Sequence, residues 1–335
     1  MMLTNNTLPW HDDIWSKLTG DTSKLPHAIL FSGQAGIGKA HLAKRFATFL
    51  LCDSPIEKDA CGICKSCKLL EAGTHPDYIL ITPEEKKKII SVDQTRELSR
   101  QLQLKSHIAK RKVAIIHPAE SMNVNAANSL LKILEEPPLN NIIILVTSKF
   151  SHLAMTIKSR CIKIAIHLPD HDIATSWLQT QETSAGSDEA ISLLKCAGGA
   201  PLLAQNLFAK DFPGTRLQLL SDVSGIARQQ SDFSACAKRW KEAGADLCLM
   251  WFQGFLADLI KITVAKAAKT TKNLPGLTNI ELSSDLKLPK KALNLRQLFE
   301  FSDVLSESRK LLNAPMDELL LIEDVLIRWQ GLMKA

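Results

Sequence analysis

An α/β domain followed by all-helical domains is the fold class this chain predicts, on three observations. Short β-branched runs alternate with helical periodicities as far as Ile166, a glycine-rich loop joins the first run to the first helix, and past Pro169 every periodic segment is helical. At 335 residues the chain exceeds one ordinary core. The composition shifts divide it into residues 1–167 with the sheet, 168–210 as a small helical domain and 211–335 as a larger helical bundle.

In order, His27 to Phe31 is an apolar run that enters the glycine loop, and Lys39 to Leu51 carries Leu42, Phe46, Phe49 and Leu50 at helical spacing. A cysteine segment interrupts. A strand at Asp77 to Ile81 then precedes a helix from Val92 to Leu104, with Ser91 as N-cap. Val113 to Ile116 is a buried strand. Asn125 to Glu136 sets Ala127, Leu130, Leu131 and Leu134 on one helical face until Pro137-Pro138 stops it. Ile142 to Val146 and Cys161 to Ile166 supply further strands. Beyond them come helices at Ile173 to Thr180, Ala190 to Ala197 and Pro201 to Phe208, then longer ones at Ala235 to Lys266 and Leu293 to Leu312, with residues 270–287 as a loop containing Pro275 and Gly276.

Hydrophobic residues at 45% and charged residues at 23% are a globular composition. A formal net charge of +6 permits a nucleic-acid partner without requiring one, and aromatics at 5% are too sparse for a base-stacking platform. No stretch approaches 18 uninterrupted apolar residues, the length that spans a bilayer, and Met1 to Trp10 lacks the order of a secretory signal. The expectation is a cytoplasmic protein with no membrane partner. In that reducing compartment the eight cysteines are not expected to form disulfides. Cys61, Cys64 and Cys67 stand at two-residue gaps with Cys52 nine positions upstream, a pattern that gives one structural Zn²⁺ four thiolates and leaves no open coordination position. Cys161, Cys196, Cys236 and Cys248 read as small hydrophobes.

Gly33-Gln-Ala-Gly36-Ile-Gly38-Lys39-Ala40 has the form of a phosphate-binding loop, in which backbone N–H groups and a helix N-terminus face the phosphates while the lysine reaches the β and γ groups. Lys39 can do this, but Ala40 lacks the hydroxyl that ligates Mg²⁺. The strand that should end in metal-binding and catalytic carboxylates ends in His117-Pro118. Gly33, Gly36, Gly38 and Lys39 therefore form a degenerate nucleotide site. Its geometry allows ATP or ADP, while the lost metal ligands weaken binding. Glu120 is set aside as a substitute, because three extended residues carry it about 10 Å past the strand end. His75 and His117 sit beside no recognisable nucleophile and read as structural.

The run Asn125-Ala-Ala-Asn128-Ser-Leu-Leu-Lys-Ile-Leu-Glu135-Glu136-Pro137-Pro138, the apolar strand ending in Thr147 and Ser159-Arg160-Cys161 resemble the clamp-loader family of AAA+ proteins over at least residues 9–166. The four cysteines inserted after the loop helix, and Ala72-Gly-Thr-His-Pro-Asp77 after them, are similar to bacterial clamp-loader subunits of the DNA polymerase III holoenzyme. The resemblance implies an AAA+ parallel sheet with a zinc module (52–67), a helical lid (168–210) and a C-terminal helical collar (211–335) for oligomerisation. It also implies that Arg160 is an arginine finger, acting in trans where γ-phosphate charge develops in a neighbouring subunit.

Motor members of that family carry Asp-Glu where this chain has His117-Pro118, Ser/Thr at Ala40, and Gly-Ser-x-Arg where it has Gly198-Gly199-Ala200-Pro201. By resemblance the chain is thus a stationary, non-hydrolysing subunit of the ATP-driven loader. Its partners would be motor ATPase subunits and the clamp-opening delta subunit in a hetero-pentamer, with the sliding clamp and primer-template DNA met through the complex. The competing readings are an active clamp-loader ATPase subunit and a zinc-dependent nucleic-acid module. Lys86-Lys87-Lys88 and Lys110-Arg111-Lys112 read as solvated loop ends, with contact to DNA phosphates as the alternative.

Overall fold

The computed structural model describes residues 7–22, 25–84, 87–181, 187–209, 212–267, 294–312 and 316–334. The elements run α1 (Asp12–Gly20), β1 (Ala28–Ser32), α2 (Lys39–Leu51), α3 (Lys65–Glu71), β2 (Tyr78–Ile81), α4 (Val92–Gln103), β3 (Lys112–Ile116), α5 (Val124–Glu135), β4 (Asn141–Thr147), α6 (Met155–Lys158) and β5 (Ile162–Ala165). They continue as α7 (His171–Thr180), α8 (Ser187–Cys196), α9 (Pro201–Ala209), α10 (Phe212–Ala227), α11 (Phe233–Ala243), α12 (Ala245–Ala267), α13 (Leu295–Leu311) and α14 (Glu318–Lys334). The chain divides into two compact units, residues 1–182 with 199–203, and residues 183–198 with 204–335.

In the first unit five parallel strands lie in the order β2-β3-β4-β1-β5. Alternate residues of each central strand face opposite layers. Ile29 and Phe31 pack with Leu42 and Phe46 of α2, whereas Ala28 and Leu30 join Leu98 of α4 and Leu130 of α5. Burial on both faces explains why these strands read as continuous apolar runs. Order reverses around β1, so the carboxyl end of β1 and the N-terminus of α2 open onto the crevice where such sheets bind ligands. Ser91 caps α4 in a complete capping box with Gln94, and the Asn123 side chain caps α5.

In the second unit the core is aromatic: Trp240, Phe252, Phe255, Phe301 and Trp329 are buried with ring centroids 5–6 Å apart in successive pairs such as Trp240–Phe252 (5.6 Å) and Phe252–Trp329 (5.2 Å). The helix expected from Ala235 to Lys266 is two helices. Gly244, at φ 108°, ends α11, a conformation that costs glycine nothing, and α12 starts at the next residue. By length and composition α12 could cross a membrane. It instead places Cys248, Leu249, Phe252 and Phe255 in the helical core. The loop expected at 270–287 lies outside the described residues.

Candidate nucleotide and metal sites

Loop 33–38 is held by packing on every side. Gly36 and Gly38 adopt φ 81° and 85°, and a Cβ on Gly33, Gly36 or Gly38 would lie 2.3 Å from the Ile166 carbonyl, 2.6 Å from Leu203 Cβ or 2.2 Å from Leu8 Cδ1. The Leu202 N–H donates to the Gly36 carbonyl (3.0 Å), and Trp10 Nε1 and His11 Nε2 both donate to the Ile37 carbonyl (2.9 Å each). Leu202 and Leu203 of α9 lie against the loop.

Lys39 is only 4% exposed and its Nζ donates to the Gln34 carbonyl of its own loop at 2.5 Å. Burial lowers its pKa to about 8, against the opposing attraction of Glu120. His117, at the end of β3, is likewise shifted down by burial, with Glu120 pulling its pKa up and Lys39 pushing it down. Its Nδ1 is buried without a hydrogen-bond partner.

Glu120 corrects one expectation. The chain does not stay extended beyond Pro118 but turns into a 3-10 turn, Ala119–Ser121. The turn carries the Glu120 carboxylate back to the strand ends, where Oε1 accepts from the Ser148 N–H at 3.0 Å and Oε2 is buried with no partner. Lys39, His117 and Glu120 are thereby electrostatically coupled at one edge of the sheet. Sequence reasoning missed Glu120 because the rise per residue was taken from a strand that had already ended.

The four cysteines converge. The Sγ atoms of Cys52, Cys61, Cys64 and Cys67 all lie within 4.8 Å of one another, with Cys52 to Cys61 at 3.5 Å and Cys52 to Cys64 at 3.9 Å. A tetrahedron with Zn–S bonds near 2.3 Å has edges of roughly 3.8 Å, so the donor set fits the ion. Gly62 (φ 72°) supplies the turn, and the Cys67 N–H donates to Cys64 Sγ. The N–H groups of Ile63 and Cys64 lower the Cys61 pKa to about 6, which favours its thiolate, while burial raises Cys52 and Cys67.

Polar ties fasten this module to α2 and to the segment before β2. Arg45 stacks over Trp15 at 3.8 Å and pairs with Asp59, while Ser66 donates to Asp53 and His75 Nε2 contacts Ser66 Oγ at 3.3 Å. Asp77 accepts the N–H groups of His107, Ile108 and Ala109; burial alone would raise its pKa, but these bonds hold it below the usual carboxylate range. His75 and Asp77 are structural braces. Lys112, expected to be solvated, is 2% exposed and donates from Nζ to the Gln101 carbonyl. Lys87 pairs with Glu84, and Lys86 lies outside the described residues.

Arg160 follows α6 on the surface of the first unit. Its guanidinium donates to the Thr156 carbonyl at 2.8 Å and pairs with Glu135, the last residue of α5.

The families described as DNA polymerase III, delta subunit, and DNA polymerase III, delta subunit, C terminal, match residues 11–170 and 210–331. A DNA polymerase III subunit delta' from Pseudomonas aeruginosa is 36% identical over 326 residues, 97% of each chain. This chain belongs to the DNA polymerase III delta' family. The delta' subunit of Escherichia coli is 30% identical across 83% of each chain. Among solved structures, a DNA polymerase III gamma subunit-related protein from Thermotoga maritima superposes with a TM-score of 0.45 and 17% identity, covering 95% of this chain and 99% of that one.

Proposed function

We propose that the chain is the stationary, non-hydrolysing delta' subunit of a clamp loader, which helps ATP-driven loading of the sliding clamp onto primed DNA and completes a neighbour's ATPase site with Arg160. The observation that carries the reading is the end of the loop, where Ala40 offers no hydroxyl to a metal and Lys39 directs one of its donors to the Gln34 carbonyl. The holoenzyme's nucleotidyltransfer would belong to other subunits. Partners under this reading are motor ATPase subunits and the clamp-opening delta subunit in a hetero-pentamer, with clamp and primer-template DNA reached through the complex in the cytoplasm. Residues 1–167, 168–210 and 211–335 would serve as AAA+ domain, lid and collar.

Zn²⁺ held by Cys52, Cys61, Cys64 and Cys67 would be structural, because four thiolates close its coordination shell. Gly33, Gly36, Gly38 and Lys39 would offer ATP or ADP a weakened site at most. One observation favours a second reading as an active ATPase subunit: the Glu120 carboxylate is close enough to Lys39 to oppose the lowering of its pKa. ATP turnover by the purified chain separates the two. We expect none above a Lys39→Ala control, and turnover that Glu120→Gln abolishes would replace the first reading with the second.

A further inference from the structure

Arg160 is held from three directions. Its backbone N–H donates to the Ile157 carbonyl at 3.1 Å, and the flanking Ile157 and Cys161 are buried, which anchors the main chain. Its side chain then divides its donors. Nη1 reaches the Thr156 carbonyl at 2.8 Å and Ser159 Oγ at 3.4 Å, whereas Nη2 pairs with Glu135 Oε1. The guanidinium remains 32% exposed and Glu135 49% exposed.

Glu135 stands on a rigid support. Ile133 and Leu134 before it are buried, the Leu134 carbonyl accepts from His27 Nε2 at 3.0 Å, and Pro137 prevents α5 from continuing. A carboxylate is also a poor choice there for the helix itself. The C-terminal end of the macrodipole is negative and favours lysine or arginine in the last turn. A residue that disfavours its own helix but pairs across to another element is explained by the partner.

We propose that Glu135 is a positioning residue for Arg160, holding the guanidinium in the orientation from which it enters a neighbouring subunit's nucleotide site. The proposal rests on the arginine-finger reading above and adds to it the residue that aims the finger. A planar guanidinium gripped on one nitrogen by a helix-borne carboxylate and on another by a carbonyl has lost most of its rotamer freedom before docking, so less remains to be lost on docking. Glu135 touches no nucleotide in this account and acts only through Arg160.

The test is DNA-stimulated ATP turnover by the reconstituted loader carrying the full-length chain, with assembly verified by gel filtration. Arg160→Ala is expected to lower kcat by at least about tenfold. Glu135→Gln is expected to lower kcat by roughly two- to fivefold, the scale of an exposed ion pair, with KM for ATP unchanged. The double variant should match Arg160→Ala alone. Glu136→Gln, which removes the adjacent charge, should behave as wild type, and Glu135→Asp should fall between wild type and Glu135→Gln. If Arg160→Ala is slow while Glu135→Gln turns over as wild type, if the two losses multiply, or if Glu136→Gln is equally impaired, the positioning role is overturned and the finger stands. If Arg160→Ala itself turns over normally, the finger reading fails and takes the positioning role with it. Should Glu135→Gln not assemble, the Glu135→Asp result decides: an assembled complex at the wild-type rate overturns the need for that reach.

Discussion

Lys39 is kept at a cost to the fold. Its pKa, lowered to about 8 by burial, means that the folded chain releases this proton well before the unfolded chain does, near 10.4. Between those two values the unfolded state binds more protons, so stability rises with pH across that window, and below pH 8 the full cost is present. Lys39→Met should therefore be more stable than wild type at pH 7 by about 1–3 kcal/mol, the gap narrowing as pH climbs from 8 to 10 in chemical denaturation. A variant less stable at pH 7 would mean that the Gln34 bond and Glu120 outweigh burial. Lys39, Ala40 and His117 were legible in sequence because each is defined by its offset from a motif. Glu120 was not, since its place depends on where β3 stops and a 3-10 turn begins. Lys112 was misjudged for a related reason: as the first residue of β3 it reaches along the strand edge to the Gln101 carbonyl.

Among elements, the segment from Cys52 to α3 has little apolar burial of its own beyond Cys67 and Leu70, so a metal ion on the four thiols would, with the polar ties at Asp59 and Ser66, supply its order. Stripping Zn²⁺ with a chelator should lower the melting temperature by roughly 5 °C or more and open 52–67 to protease, and Cys64→Ser should reproduce both effects. An unchanged melting curve after verified metal removal would discard the structural role of the zinc. The cysteine spacing made this site readable. The helix that Cys64 caps was not readable, because seven residues are too few for periodicity to declare themselves. In the sequence the run Thr74-His-Pro-Asp77 carries only a resemblance. Its chemistry is bracing: His75 reaches the module through Ser66, and Asp77 fastens the turn before β3.

At the scale of the whole molecule, the two compact units are stabilised by different means. The sheet unit buries β-branched strands between helices, and the helical unit packs large aromatics on one another, with Trp240 also donating to the buried Asp222. Asp222 is 2% exposed and accepts from Arg239 (2.6 Å), Trp240 Nε1 (3.1 Å) and Gln218 (3.0 Å). Asp222→Ala would strand the buried Trp240 Nε1–H and take its partner from the half-exposed Arg239, and should cost about 1–3 kcal/mol, with Asp222→Asn costing less because it still accepts. Equal losses in urea titrations would contradict this assignment. Strand and helix order in the sheet unit was legible because parallel strands and amphipathic helices have distinct periods. The break at Gly244 was not, because a single glycine between two stretches of helical spacing does not by itself mark an end.

The crowding around loop 33–38 has a practical consequence for reverse genetics. Each of its three motif glycines abuts another part of the chain closely enough that a methyl group would collide with it. The usual glycine-to-alanine knockouts of such a loop would report misfolding here, whatever the loop binds.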